Sequence, residues 1–221
     1  MNDPLIKMKK ILTHTANPPP YWAKARRFLL KEDPILAEIL KRHRSEKLIP
    51  RKDAFLSLAR SIVGQQISVK AAQSVWDKLS VELREITSVT VASTKIERLR
   101  RCGLSKQKAS YLLELAMHFD QGSINIKEWQ NLDDQEIVKL LTKFRGIGPW
   151  TAEMFLIFHM ERPDVFPIAD LGVQKAMRVH FNNGKTMSKE KMVARAQQWR
   201  PWRSVAVWYL WRSLDPLPVD Y

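Results

Sequence analysis

Apolar residues along this chain recur at steps of three and four. Ala54, Leu58 and Ile62, and then Val69, Ala72, Val75, Trp76 and Leu79, fall on one side of a helix with 3.6 residues per turn. No stretch shows the sustained alternation of a half-buried strand. The pattern predicts helices over 21–30, 34–41, 53–65, 68–79, 93–101, 106–119, 133–143, 149–160, 171–181, 189–198 and 201–213. Prolines punctuate this run: Pro18, Pro19 and Pro20 close a polar N-terminal stretch, and Pro50 ends the entry region. The reading is an all-α fold. The sequence carries no repeat at a fixed period, which sets a solenoid aside.

Composition narrows the function. A chain of 221 residues, 45% of them hydrophobic, can build one substantial domain or two small lobes sharing a cleft. Lys and Arg number 37 against 23 Asp and Glu, a formal net charge of +14 that no single run accounts for. A basic globule of this kind meets nucleic acid or an anionic membrane. No segment approaches the roughly 20 apolar residues that span a bilayer. Lys7, Lys9 and Lys10 lead into a polar stretch and not an apolar signal core, so an intracellular protein without a membrane partner is expected. The single cysteine, Cys102, leaves no intrachain disulfide and no four-cysteine zinc or iron–sulfur site. Five scattered histidines without an HExxH motif point away from a catalytic metal.

The segment LTKFRGIGPWTAEMFLIF, Leu141 to Phe158, places two glycines between two helical stretches. Gly146 and Gly148 permit positive φ and close approach of a ligand, and Pro149 suits the first turn of the helix that follows. The N-terminus of that helix offers free N–H groups and a partial positive charge, which together bind phosphate without reading a base. Asp170 stands 22 residues after Gly148, within RPDVFPIADLGVQKAM, at the start of another helix. It reads both as an N-cap and as a reactive carboxylate, since helix N–H groups favour the charged form.

The hairpin, the proline-rich loop and the aspartate together resemble the signature of the DNA glycosylase superfamily that includes endonuclease III. Within it, SIVGQQISVKAA (61–72), LRRCGLSKQKASYL (99–112) and WRPWRSVAVWYLWR (199–212) are similar to the DNA-3-methyladenine glycosylase II family, so that the likeness covers roughly residues 30–215. No strands precede Tyr21, unlike the larger bacterial members, and the chain looks like the compact form.

The resemblance implies two helical lobes with a cleft between them. After a tail at 1–19, residues 20–50 rejoin 161–221 in one lobe, and 51–160 form the other, with the hairpin at about 133–160. It implies a monofunctional glycosylase that hydrolyses the N-glycosidic bond of alkylated purines in base excision repair, by flipping the base and using Asp170 as the catalytic carboxylate. Bifunctional relatives carry a lysine after the hairpin proline, where this chain has Trp150, so no lyase step is expected. Trp150 and Trp211 match the base-pocket tryptophans, whose rings would hold a cationic base. Met154 stands where a larger relative carries tyrosine, Gln65 is placed to contact the base or the opposite strand, and Gln66 is the wedge. Phosphate contacts fall to Gly146, Ile147, Gly148 and Thr151. The backbone carbonyls of Thr142, Phe144 and Ile147 would hold a structural Na+ or K+, and no cofactor is implied. The expected partner is double-stranded DNA with alkylated bases, bound by a monomer.

Trp199, Trp202 and Trp208 read as core, and Arg100, Arg101, Lys106 and Lys108 as DNA-backbone contacts or a solvated face. Two rivals explain part of the pattern. A non-catalytic helix-hairpin-helix module accounts for the charge and the glycines but leaves Asp170 and Trp211 without a role. A glycosylase for oxidised or mismatched bases is disfavoured by Trp150 and by the lone cysteine.

Overall fold

Side-chain caps set most of the helix starts. In the computed structural model, which describes residues 17–214, a side-chain oxygen of Asp33, Asp53, Ser68, Ser105, Asp133, Asp170 or Ser188 accepts a first-turn N–H of the helix that follows it. Residues 1–16 and 215–221, most of the tail and the end of the C-terminal lobe expected above, lie outside the described residues. The α-helices are α1 (Trp22–Glu32), α2 (Pro34–Arg42), α3 (Ala54–Gly64), α4 (Val69–Leu83), α5 (Ser88–Ala92), α6 (Ile96–Arg101), α7 (Lys106–Asp120), α8 (Asp134–Leu141), α9 (Pro149–Phe158), α10 (Leu171–Phe181), α11 (Lys189–Ala196) and α12 (Arg203–Leu214). Short 3-10 turns occupy Glu128–Asn131 and Gln197–Trp199, and no strand occurs among the described residues.

The helix predicted at 93–101 is a correction. A capping box between Thr87 and Thr90 nucleates a separate five-residue helix, and the chain breaks at Ser93–Lys95 before α6 begins. Helix α4 runs four residues past its predicted end and stops where Arg84 takes φ 62.

Helix α3 sits at the centre of one group, against α4, α7 and α9. Helix α12 packs on α10, α2 and α1, so the N-terminal pair returns to the C-terminal helices. One continuous cluster of buried apolar residues runs through both groups, with Trp199 and Trp208 in it and Trp202 packed on its edge against Tyr21.

The N-terminal pair is also held by a buried carboxylate. Asp33 is 0% exposed. Its Oδ1 accepts from the backbone N–H groups of Ile35 and Leu36, and its Oδ2 from Arg195 (2.9 Å), Gln198 (3.1 Å) and the Trp199 indole (2.8 Å). Burying a charge is tolerated when every lone pair is met in this way.

Candidate active site

The loop between α9 and α10 is clamped before it delivers Asp170. Arg203 holds the Asp164 carboxylate through Nε (2.7 Å) and Nη2 (3.0 Å). Ser204 Oγ donates to the Arg162 carbonyl and accepts from the Val165 N–H. At the end of the loop, the Asp170 N–H donates to the Pro167 carbonyl, and Gln174 fixes the Ile168 carbonyl. A reactive group on a loop acquires the precision of a helix when its backbone is tied down like this.

Asp170 caps α10, with Oδ1 accepting the Val173 N–H at 2.7 Å. Two indoles complete its shell: Trp211 Nε1 donates to Oδ1 at 2.8 Å and Trp150 Nε1 to Oδ2 at 2.7 Å. Asp170 is 5% exposed, yet it borders a cleft of about 1050 Å³ and is the one acidic residue among the described residues that line it. Three donors around one acid offset the cost of burying it.

The cleft is also walled by the hairpin and by the α3–α4 turn. Gly146 has φ 84, and a Cβ there would stand 2.4 Å from the ring of Tyr111, so only glycine fits. The hairpin closes through Ile147 N–H to the Phe144 carbonyl, and no side chain caps the first turn of α9. The α3–α4 turn is braced against the hairpin. Gln65 Nε2 donates to the Gly146 carbonyl (2.8 Å) and to Thr151 Oγ1 (3.1 Å). Next to it Gln66 is exposed at φ 58, a left-handed conformation that a non-glycine residue holds only where its surroundings impose it.

Comparison with known proteins is consistent with this geometry. The family model described as HhH-GPD superfamily base excision DNA repair protein matches residues 59–203. This chain belongs to the HhH-GPD superfamily. A Bacillus subtilis protein, YfjP, is 30% identical over 188 residues, 81% of this chain and 66% of its own length. DNA-3-methyladenine glycosylase 1 of Schizosaccharomyces pombe is 30% identical over 182 residues, 80% of each chain. Among solved structures, the Schizosaccharomyces pombe 3-methyladenine DNA glycosylase Mag1 in complex with abasic DNA is similar with a TM-score of 0.76 and 28% identity, over 90% of this chain and 98% of Mag1.

In this HhH-GPD protein the residues expected at the site divide by position. Asp170, Trp150, Gln65, Gln66 and the hairpin share the cleft. Met154 does not reach it: beyond its first turn α9 is covered on nearly every side, and Met154 is buried in the core. Trp211, also expected in the pocket, is 3% exposed, stacks on Phe158 at 5.8 Å and meets Asp170 with its N–H. The Thr151 hydroxyl is likewise buried and accepts from Gln65. Ile147 spends its N–H inside the hairpin. Gly148 is extended, with open space where a Cβ would be, so its use is close approach and not positive φ.

Three neighbours of Asp170 escape a reading of the sequence. Leu171 is 76% exposed on the cleft rim, an apolar side chain beside the carboxylate. Gly172 gives the Trp211 indole room, because a Cβ there would stand 3.1 Å from both the ring and Asp170 Oδ1. Glu153, on α9, is pushed up to about 7, first by burial and then by the Asp170 charge.

Proposed function

We propose that this protein is a monofunctional DNA glycosylase that hydrolyses the N-glycosidic bond of alkylated purines in double-stranded DNA. The observation that carries the reading is the carboxylate of Asp170, held by two indoles and a helix N–H at the edge of a cleft large enough for a flipped nucleotide. Rupture of the glycosidic bond leaves positive charge on the sugar, and a preorganised anion stabilises that charge without reorganising. With Oδ1 met by two donors and Oδ2 by one, Oδ2 keeps the greater capacity to orient a water toward the anomeric carbon.

The base would enter between the Trp150 indole and the Leu171 side chain. Purines alkylated at N3 or N7 are cationic and are weakened at the glycosidic bond, so they need little protonation to leave, and a ring face attracts them by about 0.5–2 kcal/mol. Gln66 would fill the gap left in the duplex. The uncapped first turn of α9, with Gly148 against the backbone, would take a phosphate. The carbonyls of Thr142, Phe144 and Ile147 are the candidate seat of a monovalent cation, and the Phe144 oxygen retains a second lone pair beyond the one given to Ile147. No step of the hydrolysis passes through that ion.

An indole stands after Pro149, and it cannot form a Schiff base. Lys143 is the one lysine among the described residues that line the cleft, and it stands before the hairpin glycines, not after Pro149. Incubation with DNA carrying one 7-methylguanine should therefore leave intact abasic sites that break only in hot alkali. Borohydride trapping of a covalent protein–DNA adduct would overturn the hydrolytic reading.

The buried indole of Trp211 leads to a separate expectation. Trp211→Phe keeps a ring against Phe158 but removes the donor to Asp170 Oδ1, and single-turnover release should fall by about 10- to 100-fold. The loss should be equal for cationic 7-methylguanine and neutral hypoxanthine, with KM little changed. A larger loss for the cationic base would mean that the ring faces the substrate after all.

A further inference from the structure

The turn that carries Gln66 is locked from both sides. Helix α3 ends at Gly64, and its last carbonyls have no donor within the helix. Lys108, in the first turn of α7, reaches across 45 residues of sequence to donate from Nζ to the Val63 carbonyl at 2.8 Å, and to the Gln65 carbonyl at 2.6 Å. Its ammonium lies on the negative end of the α3 dipole, and burial at this junction lowers its pKa from the ordinary lysine value. From the other side, the Gln65 amide is anchored to the Gly146 carbonyl and Thr151. Immediately after these anchors the chain makes its left-handed excursion at Gln66, an exposed residue on the cleft lining. Expected above as a backbone contact or part of a solvated face, Lys108 instead spends two of its three donors inside the protein.

We infer that Lys108 is a positioning residue for base extrusion, an internal lock that presets the Gln66 turn in the shape that enters the duplex. A turn left free would have to be ordered while the base leaves the stack, and the entropy of that ordering would be added to the cost of extrusion. The two carbonyls bridged by one ammonium, together with the Gln65 anchor, make the turn and the phosphate-binding hairpin one rigid body. Duplex opening and strand grip then occur in fixed register. The inference rests on the reading of Gln66 as the wedge.

The test compares single-turnover release of 7-methylguanine from two duplexes of one sequence, with the lesion either paired to cytosine or placed in a single-base bulge, where extrusion costs little. Lys108→Met keeps the methylene stem and removes the donors; it should slow release from the paired duplex by about tenfold and from the bulge by less than about twofold. Lys108→Arg, which can still reach both carbonyls, should restore most of the paired rate. Lys108→Gln serves if the methionine variant does not fold, with a paired-to-bulge ratio between those of Lys108→Met and wild type. Gln66→Ala should reproduce the Lys108→Met pattern. If Gln66→Ala leaves the paired-to-bulge ratio unchanged, the wedge reading fails, and the lock loses its purpose with it. If Gln66→Ala shifts the ratio while Lys108→Met slows both duplexes equally or neither, the wedge stands and the lock is overturned.

Discussion

Asp170→Asn is expected to slow base release by at least about a thousandfold while affinity for lesion-containing DNA stays within about tenfold, because only the transition state needs the charge. The substitution is nearly isosteric. Asparagine is as good an N-cap as aspartate, so its oxygen can still accept from Val173 and Trp211. Its amide nitrogen then meets the Trp150 N–H, donor against donor, where Oδ2 had accepted at 2.7 Å. The fold should survive this local clash, as thermal denaturation can check, and the proposed phosphate contacts lie elsewhere, on the hairpin. Equal loss of binding and release would reduce Asp170 to a helix cap.

Asp33→Ala should be the most damaging single change to stability. The substitution strands the Arg195 guanidinium, the Gln198 amide, the Trp199 indole and two backbone N–H groups around a buried void. Removing one partner of a buried ion pair costs about 3–5 kcal/mol, a large share of the roughly 5–15 kcal/mol that holds a protein folded. Urea denaturation should show a lower midpoint with an unchanged slope. Asp33→Asn, which keeps the cap and loses the charge, should fall between the two. A loss below about 1 kcal/mol for the alanine variant would show that these donors find other partners.

Long amphipathic helices are legible because one face must be apolar, and α3, α7 and α10 follow that rule in the sequence. Helix α5 is not, since five residues contain too little periodicity and its start depends on a hydroxyl exchange between Thr87 and Thr90. In the site, Asp170 is legible from its distance to the glycine hairpin. The orientation of the tryptophans is not: the family resemblance brings Trp211 to the pocket, but only packing shows that the indole presents its N–H to Asp170 and stacks its face on Phe158. Met154 lies one turn after Trp150 and therefore on the same side of α9, yet sequence spacing says nothing of what covers that side. Lys108 and Glu153 read as ordinary charges on helices, and their roles come from neighbours distant in sequence, Val63 for one and Asp170 for the other.

Release of alkylated purines from this cleft, with Asp170 as the catalytic group, is what the proposed function requires. Its most direct test is chromatography of the bases freed from radiolabelled, methylated duplex DNA under single-turnover conditions at one salt concentration. Wild-type protein should release 3-methyladenine and 7-methylguanine, and Asp170→Asn should release neither. Folded wild-type protein that binds this DNA and frees no base would contradict the account and leave a helix-hairpin-helix module that only binds.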